Sequence, residues 1–285
     1  MSTRIDAHHH YWDPVRGDYP WMPDDGVLAQ PFVPADHALL NDDAGIDGTI
    51  VVQAAPTVAE TLWLYEQARS DDSRIVGVVG WVDLVADDVE AQLDAIAHPL
   101  LVGVRPMIQD IEDVEWVKRP EVISGLRAVQ AAGLTFDVLI RTEHLAPVVE
   151  VLSELTELVA VVNHLAKPNY AQIEPAWLDG MQALSARDRT YMKISGLATE
   201  VAPPWSPGNF TQHVEVVLDL FGPERSMLGT DWPVSVLTGT HAETVGLLNE
   251  LTSHLSEGER ASVWSATCLR AYDISSPTTD HRKRD

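Results

Sequence analysis

The sequence predicts an α/β chain folded as one (β/α)8 barrel of the TIM type, distorted by long loops after its first and seventh strands. Three observations predict it. Short β-branched or apolar runs recur eight times along the chain. Helical patterns, with apolar residues three and four apart, fill the intervals. A length of 285 residues with 45% hydrophobic content is enough for one barrel core. Strand and helix alternating in this way make a parallel sheet, because each return to the same edge needs a crossover helix.

Taken in order, the strand runs are Ile5–His8, Thr49–Gln53, Ile75–Trp81, Leu101–Arg105, Leu134–Ile140, Val159–Asn163, Thr190–Ile194 and Met227–Thr230. Helical spacing covers Val58–Arg69, Val89–Ala97, Glu121–Ala132, Leu145–Leu155, Trp177–Ala186 and Phe210–Phe221, and after the last strand Ala242–Leu255 and Glu259–Tyr272. Two connections are too long and too aromatic for simple links. Tyr11–Pro34 holds Trp12, Tyr19, Trp21 and Phe32, and Leu197–Asn209 holds Trp205 among three prolines. Both would emerge at the C-terminal face of the barrel, where such folds build active sites; the alternative is a surface loop packed on its own aromatics. The domain is read as residues 1–274, with 275–285 as a disordered polar tail.

With 19 Lys+Arg against 43 Asp+Glu the formal charge is −24, which repels phosphate backbones and anionic headgroups. Nucleic acid and membranes are therefore not expected as partners, and no apolar run reaches the length of a membrane span. One cysteine, Cys268, makes no intrachain disulfide, and no signal-like segment opens the chain, so a cytoplasmic location is expected. Monomer and homodimer both remain open. No phosphate-binding glycine loop, nucleophile elbow or paired-cysteine motif occurs.

The chemistry-bearing residues fall at predicted strand ends. In Asp6-Ala-His8-His9-His10, strand alternation points His8 and His10 one way and His9 the other. Paired imidazoles suit a divalent metal such as zinc, or can polarise a substrate oxygen. His164 follows the sixth run and Asp231 the eighth. The former is a ligand or a satisfied structural histidine; the latter is a turn cap, a metal ligand or a general base. Arg105, Arg141 and Lys193 also end strands, where each either stabilises an oxyanion or carboxylate or forms a buried ion pair.

Together these segments resemble the amidohydrolase superfamily, in its branch of barrel lactonases, and are most similar there to the L-fuconolactonase-like sugar lactonases. The likeness rests on Asp6-Ala-His8-His9-His10-Tyr-Trp-Asp13, Asp18-Tyr-Pro-Trp21, Val79-Gly-Trp81-Val-Asp83, Gly103-Val-Arg105-Pro-Met, Asn163-His164-Leu-Ala-Lys167-Pro168, Met192-Lys-Ile-Ser-Gly196 and Gly229-Thr-Asp231-Trp-Pro233. The resemblance implies a hydrolase that opens an aldonolactone, of the L-fucono-1,5-lactone kind, to its aldonic acid. Asp231 would be the general base and His164 a catalytic partner. His8, His10, His164 and Asp231 would be the ligands of one divalent ion, zinc by ligand type, unless the reaction runs without metal. Arg105, Arg141, Lys193, Trp12, Trp21, Trp205 and Trp232 would bind the sugar. The run Leu134–Arg141 has no lysine to bridge two metals, so a binuclear centre is not expected. Pro106 stands where a histidine often follows the arginine, which leaves the sugar open. Rival readings are a metal-dependent decarboxylase, a lactone isomerase, a pyrone-dicarboxylate hydrolase, and a barrel that binds sugar without turnover.

Overall fold

The computed structural model describes residues 3–275. Eight parallel strands follow one another round a sheet in chain order, which is the TIM-barrel arrangement. They are β1 Ile5–His9, β2 Gly48–Val52, β3 Ile75–Gly80, β4 Leu101–Val104, β5 Thr135–Val138, β6 Ala160–Val162, β7 Thr190–Ile194 and β8 Ser226–Leu228. Each falls in or beside its predicted run, the main difference being that β5 and β8 stop short. The last residues of those runs leave the ladder and become loop, and in this fold that is where side chains face the barrel mouth. Between β8 and β1 the seam closes by loop backbone instead of a strand ladder. Asp231 N–H donates to the His8 carbonyl at 2.8 Å, and His10 N–H to the Trp232 carbonyl at 2.7 Å. Gly229 permits this approach, since a Cβ there would lie 2.6 Å from that of His8.

The helices are α1 Pro34–Ala44, α2 Val58–Gln67, α3 Val89–Ala95, α4 Pro120–Ala131, α5 Leu145–Glu154, α6 Pro175–Ser185, α7 Thr211–Phe221, α8 His241–Leu251, α9 Glu257–Ala261 and α10 Thr267–Ala271. The sequence reading has no α1, and the reason is physical. This helix buries the polar His37 and Asn41 while Leu39 is 73% exposed, so it carries no apolar stripe. Its signals are in the caps: Pro34 in the first turn, Asp36 accepting the Val33 N–H at 2.9 Å, and Gly45 in the left-handed conformation. The single C-terminal helix expected over Glu259–Tyr272 is corrected to α9 and α10, joined by a π-helical turn at Ser262–Ala266. That turn lets Cys268, Ala271 and Tyr272 plug the base of the barrel against Ile5 and Met227. Of the tail expected over 275–285, residues 276–285 lie outside the described residues.

The loop after β1 is pinched at its neck by an antiparallel bridge between Trp12 and Phe32. Trp12 Nε1 donates to the Leu28 and Gln30 carbonyls at 3.0 Å, and Tyr11, Trp12, Tyr19 and Phe32 form one buried cluster with Trp232. Both readings of this loop therefore hold together: it packs on its own aromatics, and the packed loop walls the barrel mouth.

Candidate active site

At the end of β1, His8 and His10 project to one side, with their Nε2 atoms 3.1 Å apart. His10 Nδ1–H donates to the Val52 carbonyl at 2.7 Å, which leaves its Nε2 as an acceptor. Below them Lys193 Nζ lies 3.3 Å from His8 Nδ1 and 2.8 Å from Asp137 Oδ2. An ammonium only donates, so it fixes His8 with hydrogen on Nε2, directed at His10.

His164 is delivered by an unusual turn. His164, Leu165, Ala166 and Lys167 all have positive φ, between 47° and 55°. Such a conformation costs roughly 1–2 kcal/mol per non-glycine residue, so its surroundings must hold it. They do so through Trp177 Nε1 donating to the Leu165 carbonyl at 2.7 Å, Lys167 N–H to the His164 carbonyl at 2.8 Å, and Asn163 Nδ2 to Asp137 Oδ2 at 3.1 Å. His164 Nδ1 then sits 2.9 Å from Ser195 Oγ. Gly196 is required beside it, because its φ is +61° and a Cβ would lie 2.5 Å from His164 Nδ1.

Asp231, also at positive φ (55°), completes the group from beyond β8. Its Oδ1 lies 3.5 Å from His8 Nε2, 3.4 Å from His10 Nε2 and 4.0 Å from His164 Nε2. Burial pushes the Asp231 carboxyl up, but the facing His164 and His10, with Lys167, outweigh it and hold the pKa below the ordinary aspartate value. Burial drives His8 well below its ordinary range, lowers His10 and takes His164 to about 3. The state at neutral pH is thus one carboxylate among neutral imidazoles.

A cavity of about 530 Å³ opens above, lined by His10, His164, Asp231, Arg105, Lys167, Trp12 and Trp21 among others. A neighbouring apolar cavity of about 550 Å³ shares the Trp21, Met107 and Asp110 walls but touches none of the histidines. Arg105 is buried at the first cavity's wall. Its guanidinium donates to the Gln53 carbonyl, Nε has no partner among the described residues, and burial lowers its pKa to about 10, still charged at neutral pH. The ion-pair alternative therefore fails for Arg105 and holds for Lys193.

Several expected substrate contacts are corrected. Lys193 is fully buried beneath the histidines and paired with Asp137, out of reach of the cavity. Arg141 is exposed, with Nη1 3.8 Å from Glu200, and is not part of the cavity wall. Trp232 stacks on His37 with ring centroids 4.3 Å apart, and Trp205 Nε1 donates to the Thr238 carbonyl; neither lines the cavity. Strand parity misleads here, because the last residue of a strand faces the mouth only if the following loop does not turn it away. Residues the sequence reading passes over include Lys167 on the wall, paired with Glu200 at 2.8 Å. Asp137 is another, receiving Lys193, Asn163 and the Tyr272 hydroxyl at 2.9 Å. The available signal was a lone aspartate at an interior position of the apolar run Phe136–Ile140.

The donor set suits a divalent cation of the zinc type, with nitrogen and carboxylate donors converging and second partners orienting the rings. His8, His164 and Asp231 offer atoms within 4.8 Å of one another. His10 is fixed in the ligating tautomer by Val52, and His164 reaches it by donating Nδ1–H to Ser195. His8 joins only if the proton on its Nε2 is released, so cation binding there frees a proton.

These shifts also fix a pH response of the fold. His8, His9, His10, His37, His164 and His241 all have pKa values depressed by burial. Below about pH 6.5 the unfolded chain binds protons that the folded chain refuses, so their contribution falls with pH. Asp6, raised to about 6 by burial, and Glu60, raised to about 7, act in the opposite sense but are fewer. The urea midpoint of metal-free protein is expected to be lower at pH 5.5 than at pH 7.5; an equal or higher midpoint would contradict the neutral, buried histidines.

The chain is similar along nearly its whole length to known proteins. A family model described as amidohydrolase matches residues 5–274. An L-fucono-1,5-lactonase of Burkholderia ambifaria is 34% identical over 287 residues, spanning 98% of this chain and 99% of that protein. A second, from Burkholderia multivorans, is 33% identical and spans 97% and 98%. The crystal structure of an amidohydrolase from Burkholderia multivorans with bound zinc superposes with a TM-score of 0.89 at 32% identity, covering 96% of this chain and all of that one.

Proposed function

The chain belongs to the amidohydrolase family, and from that premise we propose that it opens the ring ester of a neutral sugar lactone, of the L-fucono-1,5-lactone kind, to the aldonic acid. The observation that carries this reading is the Asp231 carboxylate held ionised 3.4–4.0 Å from three imidazole nitrogens at the floor of a cavity. Similarity over nearly full length to two L-fucono-1,5-lactonases supports the substrate class.

In this reading Asp231 takes the proton of an attacking water as it adds to the ester carbonyl. The charge that develops on the carbonyl oxygen is met by the unpaired Arg105 guanidinium, already desolvated and fixed on Gln53. Asp231 then returns the proton to the departing ring oxygen. The His8 Nε2–H, 3.5 Å from Asp231 Oδ1, and the Lys167 charge favour the ionised carboxylate, while His10 and His164 flank it. His8, His10, His164 and Asp231 would hold a divalent cation, which when bound supplies Lewis-acid polarisation of the ester. Trp12 and Trp21 offer apolar faces to the sugar ring. A dianionic lactone is disfavoured: Arg105 is one cation, Lys167 is already paired with Glu200, and Asp110 adds a negative charge to the wall.

The test is acid release from a panel of 1,4- and 1,5-lactones of fuconic, galactonic, arabinonic and rhamnonic acids, with as-purified and chelated protein. Hydrolysis of one or more is expected, and Arg105→Met is expected to lower kcat/KM by about 10²–10³. No acid from any lactone with folded protein would sink the proposal. Conversion to another lactone without acid would point to isomerisation, and carbon dioxide from an aromatic acid to decarboxylation.

A further inference from the structure

Behind the catalytic histidines lies a second group of buried ligand-type side chains that the reaction does not use. Asp6 on β1, His37 on α1 and His241 at the start of α8 offer ligand atoms within 4.8 Å of one another. The register shift between Asp6 and His9 breaks the alternation of β1, and the His9 ring packs on His37 with centroids 4.8 Å apart. We propose that Asp6, His37 and His241 form a second divalent-cation centre, of the zinc type, that is structural and clamps the two helices to the barrel seam.

Three observations carry it. First, His37 Nε2, His241 Nε2 and both nitrogens of His9 are buried without a hydrogen-bond partner among the described residues. A buried polar group left unsatisfied is costly, and so many in one place call for an occupant. Second, the donors are preset for a cation. The Tyr11 hydroxyl lies 3.3 Å from His37 Nδ1, and Trp232 stacks on the ring, so Nε2 is the free edge. Asp6 is held by the Thr230 and His8 N–H groups on Oδ1 and by the Thr230 hydroxyl on Oδ2, which leaves Oδ2 a second lone pair. Imidazole nitrogens with a carboxylate oxygen match zinc, the fourth position falling to water. Third, Asp6 has no Lys or Arg ion-pair partner among the described residues, and His37 of α1, His241 of α8 and Asp6 of β1 come together beside the seam where β8 and β1 lack a ladder. A cation there compensates the charge and ties together three segments that are distant in sequence.

The experiment is metal analysis with zinc-edge anomalous diffraction of the full chain after saturation with zinc. Two sites per chain are expected, the second at Asp6, His37 and His241. His241→Gln should lose that equivalent alone and Asp231→Asn weaken only the other. Cobalt(II) titration of Asp231→Asn protein gives a readout needing no substitution at the new site: visible bands of a low-symmetry N/O site are expected. Zinc addition should raise the Tm of Asp231→Asn protein, and this rise should vanish in His241→Gln,Asp231→Asn. One zinc per chain in the native protein, unchanged in His241→Gln, or ordinary water density among the three residues, overturns the proposal.

Discussion

Substituting Asp231 by Asn is expected to lower kcat/KM for lactone opening by about 10²–10⁴, the span of a positioned general base, while the protein stays folded. The amide keeps the shape and still accepts a hydrogen bond, but cannot take a proton. Its cost to folding is expected to be small, because the carboxylate faces neutral imidazoles and no fixed cation in direct contact among the described residues. The native pH profile follows from the same geometry. The Asp231 pKa is depressed, so the base stays ionised as pH falls through the ordinary carboxylate range. The acid limb is expected below the ordinary carboxylate range, and measurements must stop where the fold begins to fail. Steady-state rates with a fluorescence check of folding decide the matter. Full activity in Asp231→Asn would remove the base role and leave binding as the function of the cluster.

Substituting Asp137 by Ala is expected to be the most destabilising single change, at about 3–5 kcal/mol, because it leaves Lys193 charged and unpaired at zero exposure. Burial already lowers the Lys193 pKa, and Asp137 is the main influence opposing that. Asp137 also takes the Tyr272 hydroxyl and the Asn163 amide, so its loss reaches both the base plug and the strained His164 turn. Urea unfolding measures the first effect. A double substitution, Asp137→Leu with Lys193→Met, separates charge from packing: it should recover most of the lost stability yet leave activity impaired, since His8 loses the group that sets its tautomer. If Asp137→Ala costs less than about 1 kcal/mol, the pair is hydrated and the column beneath the histidines is not a fixed support.

The barrel itself was legible because its signal is local and repeated. The β-branched runs Ile50–Val52 on β2, Val78–Val79 on β3 and Val161–Val162 on β6, alternating with amphipathic helices such as α5 and α7, leave few other folds for the chain. His8, His10, His164, Asp231 and Arg105 were legible as candidates because each lies at or just beyond the end of a strand, and in this architecture every strand end meets at one mouth. What the sequence hid was direction. Arg141 and Lys193 occupy equivalent places in the pattern, yet one turns out to solvent and the other inward under His8.

Local pattern thus determined the succession of strands, the face that bears the candidate site and most of the polar residues found there, since periodicity and chain connectivity act over a few residues at a time. Only the tertiary structure decided that Arg105 has no carboxylate partner among the described residues and that Asp137 supports the histidines from below. The same holds for α1, a helix without an apolar stripe, which brings His37 to Asp6 and His241. Those facts depend on contacts between segments as far apart as residues 6 and 241, and on which buried charge finds a partner; burial and pairing are properties of the assembled core and have no signature in any one stretch of chain.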